Sequence, residues 1–240
     1  ALVLGYETLD LTASVVAIHD GSDFVDSWSG EGVVSVVLDK TPFYAESGGQ
    51  VGDLGRISWS GGEFQVTDVR YLAHKVIAHF GRVVSGAPKL GDSVECVVDS
   101  NNRSATAANH SATHLLHSAL REVLGDHVQQ KGSMVNAERL RFDFSHGEAV
   151  SSADIDKIEQ IVNHQIRINS GVNTRVMNID DAREEGAAAL FGERYEDDVR
   201  VVGMGEFSLE LCGGTHVSRT GDIGAFRVIA ESCIAAGVRR

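Results

Sequence analysis

The chain has 240 residues, with 21 Lys and Arg against 34 Asp and Glu, giving a formal net charge of -13 and a pI near 5.1. That balance excludes a polybasic arm or a strongly cationic nucleic-acid clamp, and 42% hydrophobic residues with 26 Gly and 2 Pro exclude a disordered chain. No stretch approaches the roughly 18 to 20 apolar residues of a membrane helix, and residues 1–10 lack a basic segment leading into an apolar run, so no membrane partner is expected and a cytoplasmic protein is.

The first hundred residues read as strands. Segments 11–19, 32–38, 55–59, 63–69, 76–80 and 93–98 are short and rich in Val, Ile and aromatics, with Gly, Asp and Ser between them. A small β-barrel is the expected closure, because it leaves no exposed edge. Between the second and third strands, TPFYAESGGQVGD (41–53) packs a proline, two aromatics and three glycines around two carboxylates and Gln50. Such density fits either a tight hairpin or backbone brought close to a ligand. His74 and His79, five apart on a strand, send their rings to opposite faces and read as ordinary barrel residues.

From Arg103 the period changes. Leu116, Leu120, Val123 and Leu124 recur at helical spacing up to Gly125, a natural helix C-cap. Ser151 or Ser152 caps a second helix with Ile155, Ile158, Ile161, Val162 and Ile166 on one stripe, and a short third helix is expected over 180–190. Strands are expected at 140–144, 173–177, 199–202, 208–211 and 223–229, with a turn at QKG (130–132). The fold class is therefore α+β: a β-barrel domain over 1–100, then an α+β domain over 101–240 with antiparallel sheet and packed helices.

Histidines and a cysteine mark a candidate site in the second domain. His110 and His114 stand four apart on the first helix, so their rings share one face about a turn apart, and His117 continues that stripe. Cys212 and His216 stand four apart in CGGTH, where two glycines allow a turn that brings sulfur and imidazole toward one point. Three nitrogens and one sulfur make a tetrahedral set suited to one Zn²⁺ ion. The shell is closed if all four coordinate; if His216 stays outside, a position opens for water or substrate. The other cysteines, Cys96 and Cys233, are too scattered for a disulfide framework and suit a reducing compartment.

Taken together, GYETL (5–9), TPFYAESGGQVGD, NHSATHLLHSALREVLGDHVQQKGS (109–133), LRFDFSH (140–146), LFGERYEDDVRV (190–201), ELCGGTHV (210–217) and AAGVRR (235–240) closely resemble the editing region of the alanyl-tRNA synthetase family. Two departures are visible: Cys233 stands where glycine is usual, and Glu196 follows Tyr195 where glycine is common. The resemblance implies an aminoacyl-tRNA deacylase that hydrolyses seryl- or glycyl-tRNA(Ala), with His110, His114, Cys212 and His216 on the zinc and Gln130 in the pocket. Gln50 and Asp53 are further candidates for contact with the serine hydroxyl or the attacking water. Lys131, Arg139 and Arg141 are candidates for terminal phosphates.

The implied partners are the acceptor end of tRNA(Ala) and the remainder of the synthetase chain; the ATP-binding aminoacylation domain is not expected within these 240 residues. Two other readings stay open: a zinc-stabilised tRNA-binding module without activity, and the threonyl-tRNA synthetase type of editing module, against which the glycine-rich barrel segment argues. The acidity is uneven. Residues 1–100 hold 6 basic and 14 acidic side chains, and 178–198 holds 8 acidic and 2 basic, which leaves the rest of the second domain near neutral.

Overall fold

The computed structural model describes residues 2–73, 76–189 and 197–240. The chain divides into two compact units: one of residues 1–47 and 51–104, the other of residues 48–50 and 105–240.

The first unit is a closed antiparallel barrel. Its strands are β1 (Leu2–Val3), β2 (Asp10–His19), β3 (Val34–Leu38), β4 (Lys40–Thr41), β5 (Gly55–Trp59), β6 (Gly62–Ala73), β7 (Val76–Ser85) and β8 (Ser93–Val98). Six of them close in the order β2-β3-β7-β6-β5-β8, every neighbouring pair antiparallel, while β1 and β4 form a short parallel pair. Alternation along the strands sends Val15, Ile18, Val34, Val36, Leu38, Ile57, Phe64, Val66, Ile77, Val94 and Cys96 inward, where they form one core. The β6/β7 hairpin runs well past the expected strand ends, with bulges that shift its register.

Two polar constellations lie inside this unit. His79 is fully buried, with Nε2 2.7 Å from Thr41 Oγ1 and Nδ1 2.9 Å from the Val36 carbonyl oxygen. Burial drives its pKa down to about 4. Arg103 donates to Asp53 Oδ1 at 2.9 Å and to the carbonyl oxygens of Gly5 and Pro42 at 2.7 and 3.1 Å, while the Tyr44 N–H donates to Asp53 Oδ2 at 2.6 Å. The pair is a buried strut tying three chain segments.

In the second unit, α1 (Ser100–Leu124) ends at Gly125, whose φ of 118° favours glycine. Strands β9 (Gln130–Val135) and β10 (Leu140–Ser145) form a hairpin, and α2 (Ser152–Ile168) follows, capped by Ser151, whose Oγ accepts the Asp154 N–H. Next come β11 (Val172–Asn178), α3 (Ile179–Glu184), β12 (Asp198–Met204), β13 (Ser208–Leu211), a 3₁₀ turn (Thr220–Ile223), β14 (Cys233–Ala235) and β15 (Val238–Arg239). One sheet has the order β14-β15-β10-β9 and the other β11-β12-β13. Leu115, Leu116, Leu120, Phe142, Phe144, Ile158, Val162, Ile166, Val202 and Met204 form the core between these elements.

Three local expectations are corrected. The QKG segment is the start of β9, because Val135 also pairs with Gln50 and its N–H is accepted by the Gly49 carbonyl at 2.7 Å. Segment 223–229 joins no sheet: Asn163 exchanges hydrogen bonds with the Phe226 backbone and Glu159 accepts the Val228 N–H, so α2 side chains satisfy groups that a strand partner would otherwise serve. The third helix stops at Glu184, and its expected end at Leu190 lies outside the described residues, as do His74 and Glu196.

Candidate metal centre

α1 supplies the first half of the site. His110 and His114 present their rings one turn apart, with centroids 5.4 Å from each other, and both are buried. The second half is the turn after β13. There the Cys212 N–H donates to the Arg200 carbonyl at 2.9 Å, the Gly214 N–H donates to Cys212 Sγ at 3.3 Å, and Arg200 donates to the Gly214 carbonyl oxygen. Gly214 has no substitute here, because a Cβ on it would collide with the His110 ring.

These halves bring His110, His114, Cys212 and His216 together with one ligand atom each, all within 4.8 Å of one another. Cys212 Sγ lies 3.4 Å from His110 Nε2 and 3.3 Å from His216 Nε2. A tetrahedral ion with Zn–N near 2.0 and Zn–S near 2.3 Å sets neighbouring donors about 3.3–3.6 Å apart. The donor set fits a metal of that class, with imidazole and thiolate matched to a borderline-soft ion.

The outward nitrogens are held as well. His110 Nδ1 lies 2.7 Å from Gln50 Oε1, and Gln50 is locked in turn by the Thr215 N–H at 2.9 Å and by its own Nε2 donating to Thr215 Oγ1 at 2.8 Å. His216 Nδ1 lies 3.1 Å from Ser111 Oγ, which also accepts the Val217 N–H. Among the described residues, His114 Nδ1 makes no hydrogen bond; it faces Glu210 Oε2 at 3.4 Å, while Glu210 Oε1 is 2.8 Å from His117 Nδ1.

Electrostatics follow from this packing. Burial works against the Cys212 thiolate, but the imidazoles of His110, His114 and His216 outweigh it and hold the thiol well below its ordinary range. Burial alone lowers His114, yet the Glu210 carboxylate and the Cys212 sulfur carry it up to about 9. His216 goes the other way, to about 3, because burial dominates there. Burial raises Glu210, but His114 and His117 together hold it below the usual carboxylate value.

The other expected site residues are placed differently. Gln50 joins the cluster through His110. Asp53 lies in the first unit, where its oxygens accept from Arg103 and the Tyr44 N–H. Gln130 opens β9, half-buried and opposite Phe144. Arg141 lies 3.6 Å from Asp143, whose carboxylate also accepts from Arg240 at 2.7 and 3.0 Å. Sequence reasoning missed Glu210, Ser111 and the attachment of Gln50. A carboxylate inside the apolar SLEL strand, two residues before Cys212, was the one available signal for Glu210.

Comparison with known proteins bears on what this centre belongs to. Residues 1–102 match the family described as tRNA synthetases class II (A), and residues 199–240 match the Threonyl and Alanyl tRNA synthetase second additional domain. Over 236 residues, 98% of this chain, it is 54% identical to the alanine–tRNA ligases of Pseudoalteromonas translucida (strain TAC 125) and of Nitrosomonas europaea. The chain is thus similar, almost end to end, to one segment of the alanine–tRNA ligases. It spans 27% of the length of these relatives. The second matched stretch carries Cys212 and His216, and the first carries Gln50 and Asp53; the helix with His110 and His114 lies between them. Among the described residues, no helix is long and apolar enough to cross a membrane.

Proposed function

We propose that this part of the alanine–tRNA ligase chain is its editing hydrolase, acting on the aminoacyl ester of Ser-tRNA(Ala) and Gly-tRNA(Ala). The observation that carries the reading is the three-histidine, one-cysteine cluster, its His110 and His114 buried and its Cys212 and His216 half-buried, in a chain that matches the second additional domain. In this reading the working division is a barrel domain over 1–100 and a zinc-binding domain over 101–240, the partners are the acceptor end of tRNA(Ala) and the rest of the ligase, and the setting is the cytoplasm.

The need for such a site follows from selectivity. A pocket shaped for alanine rejects serine poorly, because one added hydroxyl changes binding by only a few kcal/mol. A second pocket that hydrogen-bonds the hydroxyl discriminates the other way, since an alanyl ester leaves its polar groups unpaired. His110, His114, Cys212 and His216 would hold one Zn²⁺. When bound, the ion supplies positive charge and Lewis acidity beside the ester. Gln130 contacts the serine hydroxyl, Gln50 aims His110, and Asp53 holds Arg103 in the barrel. Water adds to the ester carbonyl, and its proton ends on the departing ribose oxygen, giving free serine and uncharged tRNA. An aminoacyl ester is already activated, so positioning and charge stabilisation suffice without a strong base.

The test uses purified protein with Ser-tRNA(Ala) and Ala-tRNA(Ala), with Cys212→Ala alongside. The seryl ester is expected to decay faster with protein than without, the alanyl ester to be spared, and Cys212→Ala to lose both metal and activity. Equal seryl decay with and without protein overturns the enzyme and leaves a zinc-stabilised tRNA-binding module. With a net charge of -13, the chain is expected to hold tRNA weakly and in a salt-sensitive way.

A further inference from the structure

We propose that Glu210 and His117 form a buried positioning pair behind His114, in which one carboxylate serves two imidazoles and His117 acts on the metal centre only through Glu210. The inference rests on the reading of the cluster as a metal site. A histidine that offers Nε2 to an ion must carry its proton on Nδ1, and that proton needs an acceptor. His110 has Gln50 Oε1 and His216 has Ser111 Oγ. For His114 the facing group is Glu210 Oε2, an anion where the other two have neutral acceptors. A carboxylate behind an imidazole makes it a stronger ligand than an amide or hydroxyl does.

Glu210 is not free to serve His114 alone. Its other oxygen is engaged by His117 Nδ1 at 2.8 Å, and His117 is buried, one turn after His114 on α1 and against Phe142 with ring centroids 5.3 Å apart. Among the described residues, the far nitrogen of His117, Nε2, is buried without a hydrogen-bond partner. An unpartnered buried nitrogen is costly, and a phenylalanine or leucine in its place would remove that cost. Among the described residues, the one strong polar contact the ring makes is the one to Glu210. That contact fixes the carboxylate so that Oε2 stays on His114.

The consequence is specific. Glu210→Gln keeps the shape but offers one acceptor and one donor, so it cannot present an acceptor oxygen to both Nδ1 atoms as the carboxylate does. The intact chain is loaded with Zn²⁺ in competition with a chelator, and with Co²⁺, whose visible spectrum reports the ligand set. Glu210→Gln is expected to weaken Zn²⁺ binding by about 10- to 100-fold and to shift the Co²⁺ bands. His117→Phe is expected to weaken it less. The double variant should be no weaker than Glu210→Gln alone, within about twofold, because the second change acts through the first. Glu210→Asp, which keeps the charge but shortens the reach, should fall between wild type and Glu210→Gln, and it stands in should the amide variant not fold.

Wild-type affinity in Glu210→Gln or in Glu210→Asp, or losses for the two sites that simply multiply in the double variant, overturns the proposal while leaving the metal site in place. No zinc binding by the wild-type chain overturns the metal reading itself and this inference with it.

Discussion

The two units treat buried histidine in opposite ways. In the barrel, His79 has both ring nitrogens engaged, one by the Thr41 hydroxyl and one by the Val36 carbonyl, so nothing is left over for chemistry. In the second unit His110 and His216 each have Nδ1 tied to a neighbour, while Nε2 converges on the same sulfur. A ring satisfied on both sides is a strut. A ring held on one side and aimed on the other is a ligand. The same contrast separates the carboxylates: Asp53 closes on Arg103 and the Tyr44 N–H, whereas Glu210 stands behind His114 and His117. Burial alone marks neither role; where the remaining valence points does.

The sharpest way to break this contrast is to remove the sulfur. Cys212→Ala, or exhaustive chelation of the wild type, is expected to take bound metal from one ion per chain to none and to abolish seryl-ester hydrolysis. Both are read by metal analysis and ester decay. Full zinc content in Cys212→Ala would place the centre elsewhere. His79→Gln, a buried histidine of the other kind, should leave metal content unchanged.

Next in size is the barrel strut. Removing one partner of a buried ion pair leaves an uncompensated charge, so Arg103→Leu is expected to destabilise the first unit by about 3–5 kcal/mol. Trp28 and Trp59, the two tryptophans of the chain, both lie in that unit and report its unfolding in denaturant. A loss under about 1 kcal/mol would mean that the pair is not the tie its geometry indicates.

How much of this was open to sequence reading depended on the range of the interaction. The six barrel strands were legible because alternation is local, and so were α1 and α2, whose apolar stripes and caps lie within their own segments. The four residues that could hold a metal were legible as a cluster because each pair sits four residues apart. What was not legible came from distant partners. β9 contains Gln130, Lys131 and Gly132, poor strand formers, and its register comes from β10 and from Gly49 and Gln50. Segment 223–229 has strand composition, but Asn163 and Glu159 on α2 claim its backbone. Glu210 and Ser111 are ordinary residue types whose roles appear only once α1 meets the turn after β13.

His79 also gives the comparison a pH axis. Its imidazole takes up a proton near 6.5 in the unfolded chain but only near 4 in the barrel, so below about 6.5 the unfolded state binds the extra proton. The barrel's stability from this group is therefore complete above pH 6.5 and falls as pH drops toward 4, by about 3 kcal/mol in all. Tryptophan-monitored unfolding across that range should show the slope in wild type and lose it in His79→Gln. Equal slopes would mean that His79 is already charged in the fold.

The smallest effect separates two serines of the second unit. Ser151 and Ser111 each accept a backbone N–H, from Asp154 and Val217, but only Ser111 also meets a histidine of the cluster. Ser151→Ala removes a helix N-cap and is expected to cost about 1 kcal/mol, the same with and without metal. Ser111→Ala should also lower metal affinity, since His216 loses the acceptor that fixes its Nδ1 proton. Unfolding of both variants in zinc-loaded and chelated protein tests this. If Ser151→Ala became costlier on metal loading, or Ser111→Ala cost the same in both states, the line between a cap and a ligand support would fail at this pair, where the residue type is identical and only the second partner differs.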